Sequence, residues 1–222
     1  MKESHNQAVI FDLDGVLVNT GEFHKQSWYD LAEQEGFSVT DEFFYRTFGM
    51  QNYQIIPQLV KDITPDELDR MSVWKEARFR ELIRGRLKLL DGAKTLLANL
   101  KANQYLLAVG SSAPKVNLKF MLTETGAYDD FDTLVCGQDV KNGKPAPDTF
   151  LKAAETLQIL PSRCVVVEDA LQGVQAAHAA GMPAVAVTTT RTRADLWQAE
   201  RIVDSLSELS TQDFNELLHT SS

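Results

Sequence analysis

The stretch Ala8-Val9-Ile10-Phe11-Asp12-Leu13-Asp14-Gly15-Val16 decides how the rest of the chain is read. Its first four residues form an apolar run without period-2 alternation, the pattern of a strand buried on both faces. That run passes directly into two carboxylates two residues apart and a glycine. Leu106-Leu107-Ala108-Val109, Val165-Val166-Val167 and Ala184-Val185-Ala186-Val187 share its character, and Asp132-Thr133-Leu134-Val135-Cys136 is a weaker fifth run. Helix-period segments lie between them, for example Phe150, Ala153, Ala154 and Leu157, preceded by the start signals Pro147 and Asp148. Strands alternating with helices predict a parallel sheet in a doubly wound, Rossmann-like α/β domain.

The alternation breaks once. Between about residues 20 and 90 no buried strand is evident, but helix signals recur. Trp28, Leu31 and Ala32 share a face that stops at Gly36, and Thr64-Pro65-Asp66-Glu67 supplies an N-cap, a proline at the first helical position and a glutamate at the third. The expected organisation is an α/β core of residues 1–20 and 88–222 with a small α-helical cap domain, residues 21–87, inserted into it.

With 222 residues the chain can bury one good-sized core plus a small insertion. Lys and Arg number 22 against 31 Asp and Glu, a formal charge of −9 that repels a polyphosphate backbone, so nucleic acid is not an expected partner. Cys136 and Cys164 are too few for a disulfide framework and form no zinc-spaced pair; they read as reduced structural thiols. No run approaches the roughly 18 apolar residues of a membrane span, and the polar start Met1 to Gln7 does not lead into a long apolar segment. A cytoplasmic monomer without membrane association is expected. The last residues, Leu218 to Ser222, are expected to fray.

Four segments carry chemistry. Asp12 and Asp14 follow the first strand, where open α/β sheets place ligands, although Asp and Gly after a strand also make ordinary turns. Ser111, in Gly110-Ser111-Ser112-Ala113-Pro114, could hold phosphate oxygens or simply serve a helix cap. Lys144, in Gly143-Lys144-Pro145-Ala146-Pro147-Asp148, is either a point charge fixed by a proline-stiffened turn or a solvated loop lysine. Glu168 and Asp169 end the most hydrophobic run, where two negative charges call for something positive, naturally a hard divalent cation. A parallel sheet brings all these strand ends to one edge, so the four signals reinforce one another.

In this order the residues resemble the haloacid dehalogenase superfamily, whose phosphotransferases carry Asp-x-Asp, Ser or Thr, Lys, and an acidic pair. The resemblance spans residues 8–187. The helical insertion after Asp14, with Lys144-Pro145-Ala146-Pro147-Asp148 and Gly173 after the acidic pair, is similar to the β-phosphoglucomutase-like subgroup. The resemblance implies Asp12 as the nucleophile that becomes an aspartyl-phosphate, and Asp14 as the acid and then the base. It implies Mg²⁺ held by Asp12, Asp14 (through its backbone carbonyl) and Asp169, with Glu168 assisting directly or through water, and phosphate held by Ser111 and Lys144. An acid at position 14 favours phosphate transfer over carbon–halogen or carbon–phosphorus cleavage.

By the same resemblance, specificity belongs to the cap, where His24, Asn52, Lys75 and Arg78 are the candidate substrate contacts. His24 reads equally as a structural histidine, and Lys75 with Arg78, at i and i+3, as a solvated basic face. Family mutases carry a cap arginine three residues after a glycine, and here Gly49-Met50-Gln51-Asn52 puts Asn52 in that place. The Ser-Lys-Asn continuation of the sugar-phosphate mutase is also missing after Ser111. Lys75 and Arg78 are the cations left to compensate. The expectation is a Mg²⁺-dependent phosphatase of small phosphorylated metabolites, with sugar phosphates foremost. The alternatives are a sugar-phosphate mutase and a catalytically silent binding protein that has kept the fold.

Overall fold

The structure is a computed structural model that describes residues 7–220. The chain separates into two compact units, Met1–Asn19 with Lys88–Ser222, and Thr20–Leu87. In the first, six strands form one sheet: β1 (Ala8–Phe11), β2 (Leu106–Gly110), β3 (Thr133–Val135), β4 (Cys164–Glu168), β5 (Ala184–Val187) and β6 (Arg201–Val203), in the spatial order β3-β2-β1-β4-β5-β6. Every pairing is parallel. The four aliphatic runs and the weaker fifth are β1 to β5. The sixth strand escaped the sequence reading, because Arg201-Ile202-Val203 is three residues long, begins with a charge and is only partly buried at the sheet edge.

In register, Phe11 of β1 lies opposite Val109 of β2 and Val167 of β4. The residues that follow these three, Asp12, Gly110 and Glu168, therefore reach the carboxyl edge of the sheet together. The Asp12 amide extends the ladder by donating to the Val167 carbonyl at 2.9 Å.

The second unit is helical: α1 (Gly21–Glu35), α2 (Asp41–Thr47), α3 (Asn52–Leu59) and α4 (Pro65–Ile83). Helix α1 ends at Gly36, whose φ of 77° is left-handed. Helix α4 opens on a capping box in which Thr64 Oγ1 accepts from the Glu67 amide at 3.3 Å and Glu67 Oε2 accepts from the Thr64 amide at 2.9 Å. Trp28, Leu31, Phe44, Ile55, Ile56 and Met71 form this unit's own apolar centre.

In the α/β unit, α5 (Ala93–Ala102), α6 (Lys115–Glu124), α7 (Asp148–Leu157), α8 (Leu171–Ala179) and α9 (Thr211–Thr220) complete the chain. Helices α7 and α8 pack on one face of the sheet, α5 and α9 against the other. Phe150, Ala153 and Ala154 are buried against Ala8, Ile10, Ala108 and Val166, the alternate residues of the strands. The expected fraying of the tail is corrected in part: Leu218 and His219 belong to α9 and Leu218 is buried, because α9 lays Phe214, Leu217 and Leu218 inward. Residues 221–222 of that expectation, and residues 1–6 of the polar start, lie outside the described residues. Among the described residues no helix is long and apolar enough to cross a membrane. Both cysteines are free and buried, and burial pushes the Cys164 thiol up to about 12.

Candidate active site

Lys144 organises the carboxyl edge. Its Nζ donates to Asp12 Oδ1 and to Glu168 Oε1, each at 2.5 Å, and all three side chains are at most 10% exposed. The ammonium also lies 4.9 Å from the centre of the Phe150 ring, the first large apolar residue of α7. The lysine that could have been a solvated loop residue is therefore the hub of a buried ion triad. Burial alone would pull its pKa down, but the carboxylates of Asp12 and Glu168 outweigh that and raise it.

Glu168 is held at both ends. While Oε1 takes the Lys144 bond, Oε2 accepts from the amides of Asp169 at 2.9 Å and Ala170 at 3.0 Å. Gly173 packs so closely that a Cβ there would lie 1.9 Å from the Glu168 carboxyl. That contact gives the glycine after the acidic pair its physical meaning.

Asp169 is buried and receives a hydrogen bond from the Thr190 hydroxyl on its Oδ2; the same hydroxyl reaches the Asp169 carbonyl at 3.3 Å. Gly15 closes the other side. Its φ is +86°, and a Cβ would fall 2.0 Å from Asp169 Oδ2, so the turn after Asp14 needs a residue without a side chain. Thr190, in the loop after β5, was absent from the sequence reading: one threonine in Thr188-Thr189-Thr190 carries no spacing signal, and only the fold brings it beside Asp169.

The carboxyls outnumber the ammonium. Burial raises Asp12 to about 7, with Lys144 opposing and Glu168 and Asp14 adding to the rise. Burial, Glu168 and Asp12 lift Asp169 well above the usual carboxylate range. This surplus negative charge, presented by hard oxygen donors only, fits a small divalent cation such as Mg²⁺. Among the described residues no three His, Cys, Asp or Glu side chains converge as a ready-made cage. Asp12 and Asp169 are the side chains that could hold the ion, with backbone oxygen and water completing the shell. Both Glu168 oxygens already have partners.

Ser111 is buried just past β2; its amide donates to the Val135 carbonyl at 3.0 Å and its hydroxyl accepts from the Ala113 amide at 3.1 Å. The helix-cap alternative is corrected: α6 starts after Pro114, and its first amide, that of Lys115, donates to Gln138 Oε1 at 3.0 Å, while the Ser111 hydroxyl is engaged with the Ala113 amide.

In the helical unit, His24, Asn52 and Lys75 come together and Arg78 does not. Lys75 Nζ lies 2.7 Å from His24 Nδ1 and 2.9 Å from Glu76 Oε1, and Asn52 Nδ2 donates to the same Glu76 oxygen at 2.7 Å. The His24 ring stacks on Phe79, with centroids 3.8 Å apart. Lys75 is 2% exposed, which corrects its reading as part of a solvated basic face. Arg78 is the solvated one, pairing with Asp30 at 2.6 Å and Glu81 at 3.1 Å. Glu76 was missed because a charged residue beside a lysine on a helix looks like surface. Burial works to raise its carboxyl, but the Lys75 ammonium and the hydrogen bonds from Lys75 and Asn52 bring it down to about 2.

Known proteins share this architecture. Residues 9–187 match the family model for haloacid dehalogenase-like hydrolases. The chain is 35% identical over 214 residues to a chloroplastic 5-amino-6-(5-phospho-D-ribitylamino)uracil phosphatase of Arabidopsis thaliana, covering 95% of this chain but only 57% of that protein. It is 32% identical over 224 residues to the β-phosphoglucomutase of Bacillus subtilis, covering 96% and 94% of the two chains. The crystal structure of a β-phosphoglucomutase from Clostridium difficile superposes with a TM-score of 0.88 at 28% identity, covering 97% of this chain and 98% of the other. A parallel sheet that gathers Asp12, Lys144, Glu168 and Asp169 at one edge, within a family match that spans most of the sequence, places this chain among the haloacid dehalogenase-like hydrolases.

Proposed function

We propose that the chain is a Mg²⁺-dependent phosphatase of small phosphorylated metabolites, foremost sugar phosphates, that works through an aspartyl-phosphate on Asp12. The observation that carries this reading is the buried Lys144 ammonium bonded at once to Asp12 and Glu168. It holds one Asp12 oxygen in place and sets a positive charge where phosphoryl oxygens would gather. A bound Mg²⁺ would supply further charge neutralisation, with Asp12, the Asp14 carbonyl and Asp169 as its holders. Glu168, with both oxygens engaged, acts through Lys144 and the Asp169 amide rather than as a direct ligand.

Asp12 forms the bond to phosphorus while Asp14 gives its proton to the leaving oxygen. In the second half Asp14 takes a proton from water as the water oxygen bonds to phosphorus and the Asp12 O–P bond breaks, which releases phosphate and restores the Asp12 carboxylate. Ser111 and Lys144 hold the phosphoryl oxygens, and His24, Asn52 and Lys75 contact the leaving group from the cap. General acid–base catalysis contributes about 10²–10⁴-fold, so positioning and charge neutralisation carry most of the acceleration.

The resemblance to β-phosphoglucomutases raises a second reading, a mutase, which would have to hold a second phosphate in the cap. The charge inventory supports the hydrolase. Asn52 is neutral, and the cations left to compensate, Lys75 and Arg78, are already paired with Glu76, and with Asp30 and Glu81. The test is phosphate release across sugar phosphates, nucleotides and phosphoacids with Mg²⁺, with Asp12→Asn alongside and sugar isomers followed with added glucose 1,6-bisphosphate. Release that Asp12→Asn lowers by about 10⁴-fold or more supports the phosphatase. Bisphosphate-stimulated isomer formation with little phosphate makes it a mutase.

A further inference from the structure

The helical unit buries an ion pair that its packing does not call for. Lys75 and Glu76 are consecutive on α4, where adjacent positions do not face each other, yet their side chains turn together and both are buried. Replacing a buried ion pair by apolar residues is commonly neutral or stabilising, and Met71, Ile55 and Ile56 show that the same helices bury apolar side chains readily. Asn52 carries the network from α3 to α4 by donating to Glu76.

Charge can be assigned group by group. An ammonium has three donors and no acceptor, so the His24 Nδ1 that meets Lys75 at 2.7 Å carries a lone pair. A second proton on that ring would set two cationic donors against each other, and His24 is therefore neutral. Glu76, whose Oε1 accepts from both the Lys75 ammonium and the Asn52 amide, is ionised. Lys75 and Glu76 cancel, and neutral His24 and Asn52 leave the cluster with no net charge.

We propose that Glu76 is a specificity-determining residue that acts as a charge filter. By cancelling Lys75 and engaging the Asn52 amide, it denies the cap the positive charge that a leaving group with its own phosphate would need. It thereby selects monophosphates whose leaving group is uncharged. The inference rests on the phosphatase reading above, in which the cap contacts the leaving group.

The test compares fructose 1-phosphate with fructose 1,6-bisphosphate in the full chain with Mg²⁺. Calorimetric affinities are measured in the Asp12→Asn background, and turnover with Asp12 intact. Glu76→Gln leaves Lys75 uncancelled, and Asn52→Arg adds a cation while keeping the Glu76 carboxylate, so the second variant decides if the first does not fold. Each is expected to raise the affinity for the bisphosphate relative to the monophosphate by about tenfold. Adding Lys75→Met to Glu76→Gln is expected to return the ratio to its starting value. Ratios that stay within about twofold in every folded single variant overturn the filter. Asp12-dependent release with an unchanged ratio overturns the filter alone, whereas a shifted ratio without release by the unmodified protein supports the filter and overturns the phosphatase. Binding of neither sugar overturns both.

Discussion

Lys144 and Lys75 are both buried, one in each unit, and both bond to a glutamate, yet their surroundings differ in balance. Lys144 sits between Asp12 and Glu168 with Asp169 and Asp14 close by, so its neighbourhood is left negative and two of its carboxyls are pushed upward. Lys75 meets one carboxylate and one neutral ring, and its neighbourhood closes at zero with Glu76 pushed downward. Burial acts in the same direction on all these carboxyls; the ratio of carboxylates to cations decides which way each one ends. An unbalanced cluster has negative charge with which to hold a further cation, as the proposed function requires, and a balanced one has none to offer.

Removing each partner in turn sharpens that comparison. The largest effect is expected for Lys144→Met, which strands Asp12 and Glu168 together: a loss of about 3–5 kcal/mol in denaturant unfolding, with phosphate release abolished. Gly173→Ala forces a methyl into the Glu168 carboxyl and is expected to cost about 1–3 kcal/mol by the same measurement and to lower turnover, although no charge changes.

Acid breaks the balanced cluster. Glu76 has a folded pKa of about 2 against an ordinary 4.5, so below 4.5 the unfolded chain takes up a proton that the folded chain refuses. Its stabilising contribution is complete above that value and is lost as pH falls towards 2. Unfolding followed by Trp28 and Trp74 fluorescence should show this loss, and Glu76→Gln should flatten it. The smallest effect is expected for Thr190→Val, which removes the hydroxyl that orients Asp169. The Mg²⁺ concentration needed for half of the thermal stabilisation should rise about tenfold, with the metal-free melting point little changed.

Much of the site could be read from residue order because the chemistry sits where strands end. An aliphatic run without alternation can be recognised in one dimension, and Asp12, Ser111, Glu168 and Asp169 each follow such a run directly. Lys144 follows none, and was legible only from its proline-rich turn and from the family pattern. Thr190 and Glu76 carried no comparable signal: a threonine among threonines and a glutamate beside a lysine are ordinary surface sequence until the fold buries them. Arg78 misled for the opposite reason: i and i+3 share a helix face, but Lys75 sits among that face's buried residues, whereas Arg78 lies at its partly exposed rim and pairs with Asp30 and Glu81.

The amino-acid sequence by itself determined the α/β architecture, the helical character of the insertion and the identity of the groups that the first, second and fourth strands deliver to one edge. Local patterning sets these, because apolar period, caps and the residues just past a strand are properties of neighbours in the chain. Only the tertiary structure decided that Lys144 bridges Asp12 and Glu168, that Thr190 meets Asp169, and that Glu76 neutralises Lys75 and ties Asn52 to it. Those bonds join residues distant in sequence, or turn adjacent side chains into one buried space. Their strength comes from the exclusion of water, which no single stretch of sequence can specify.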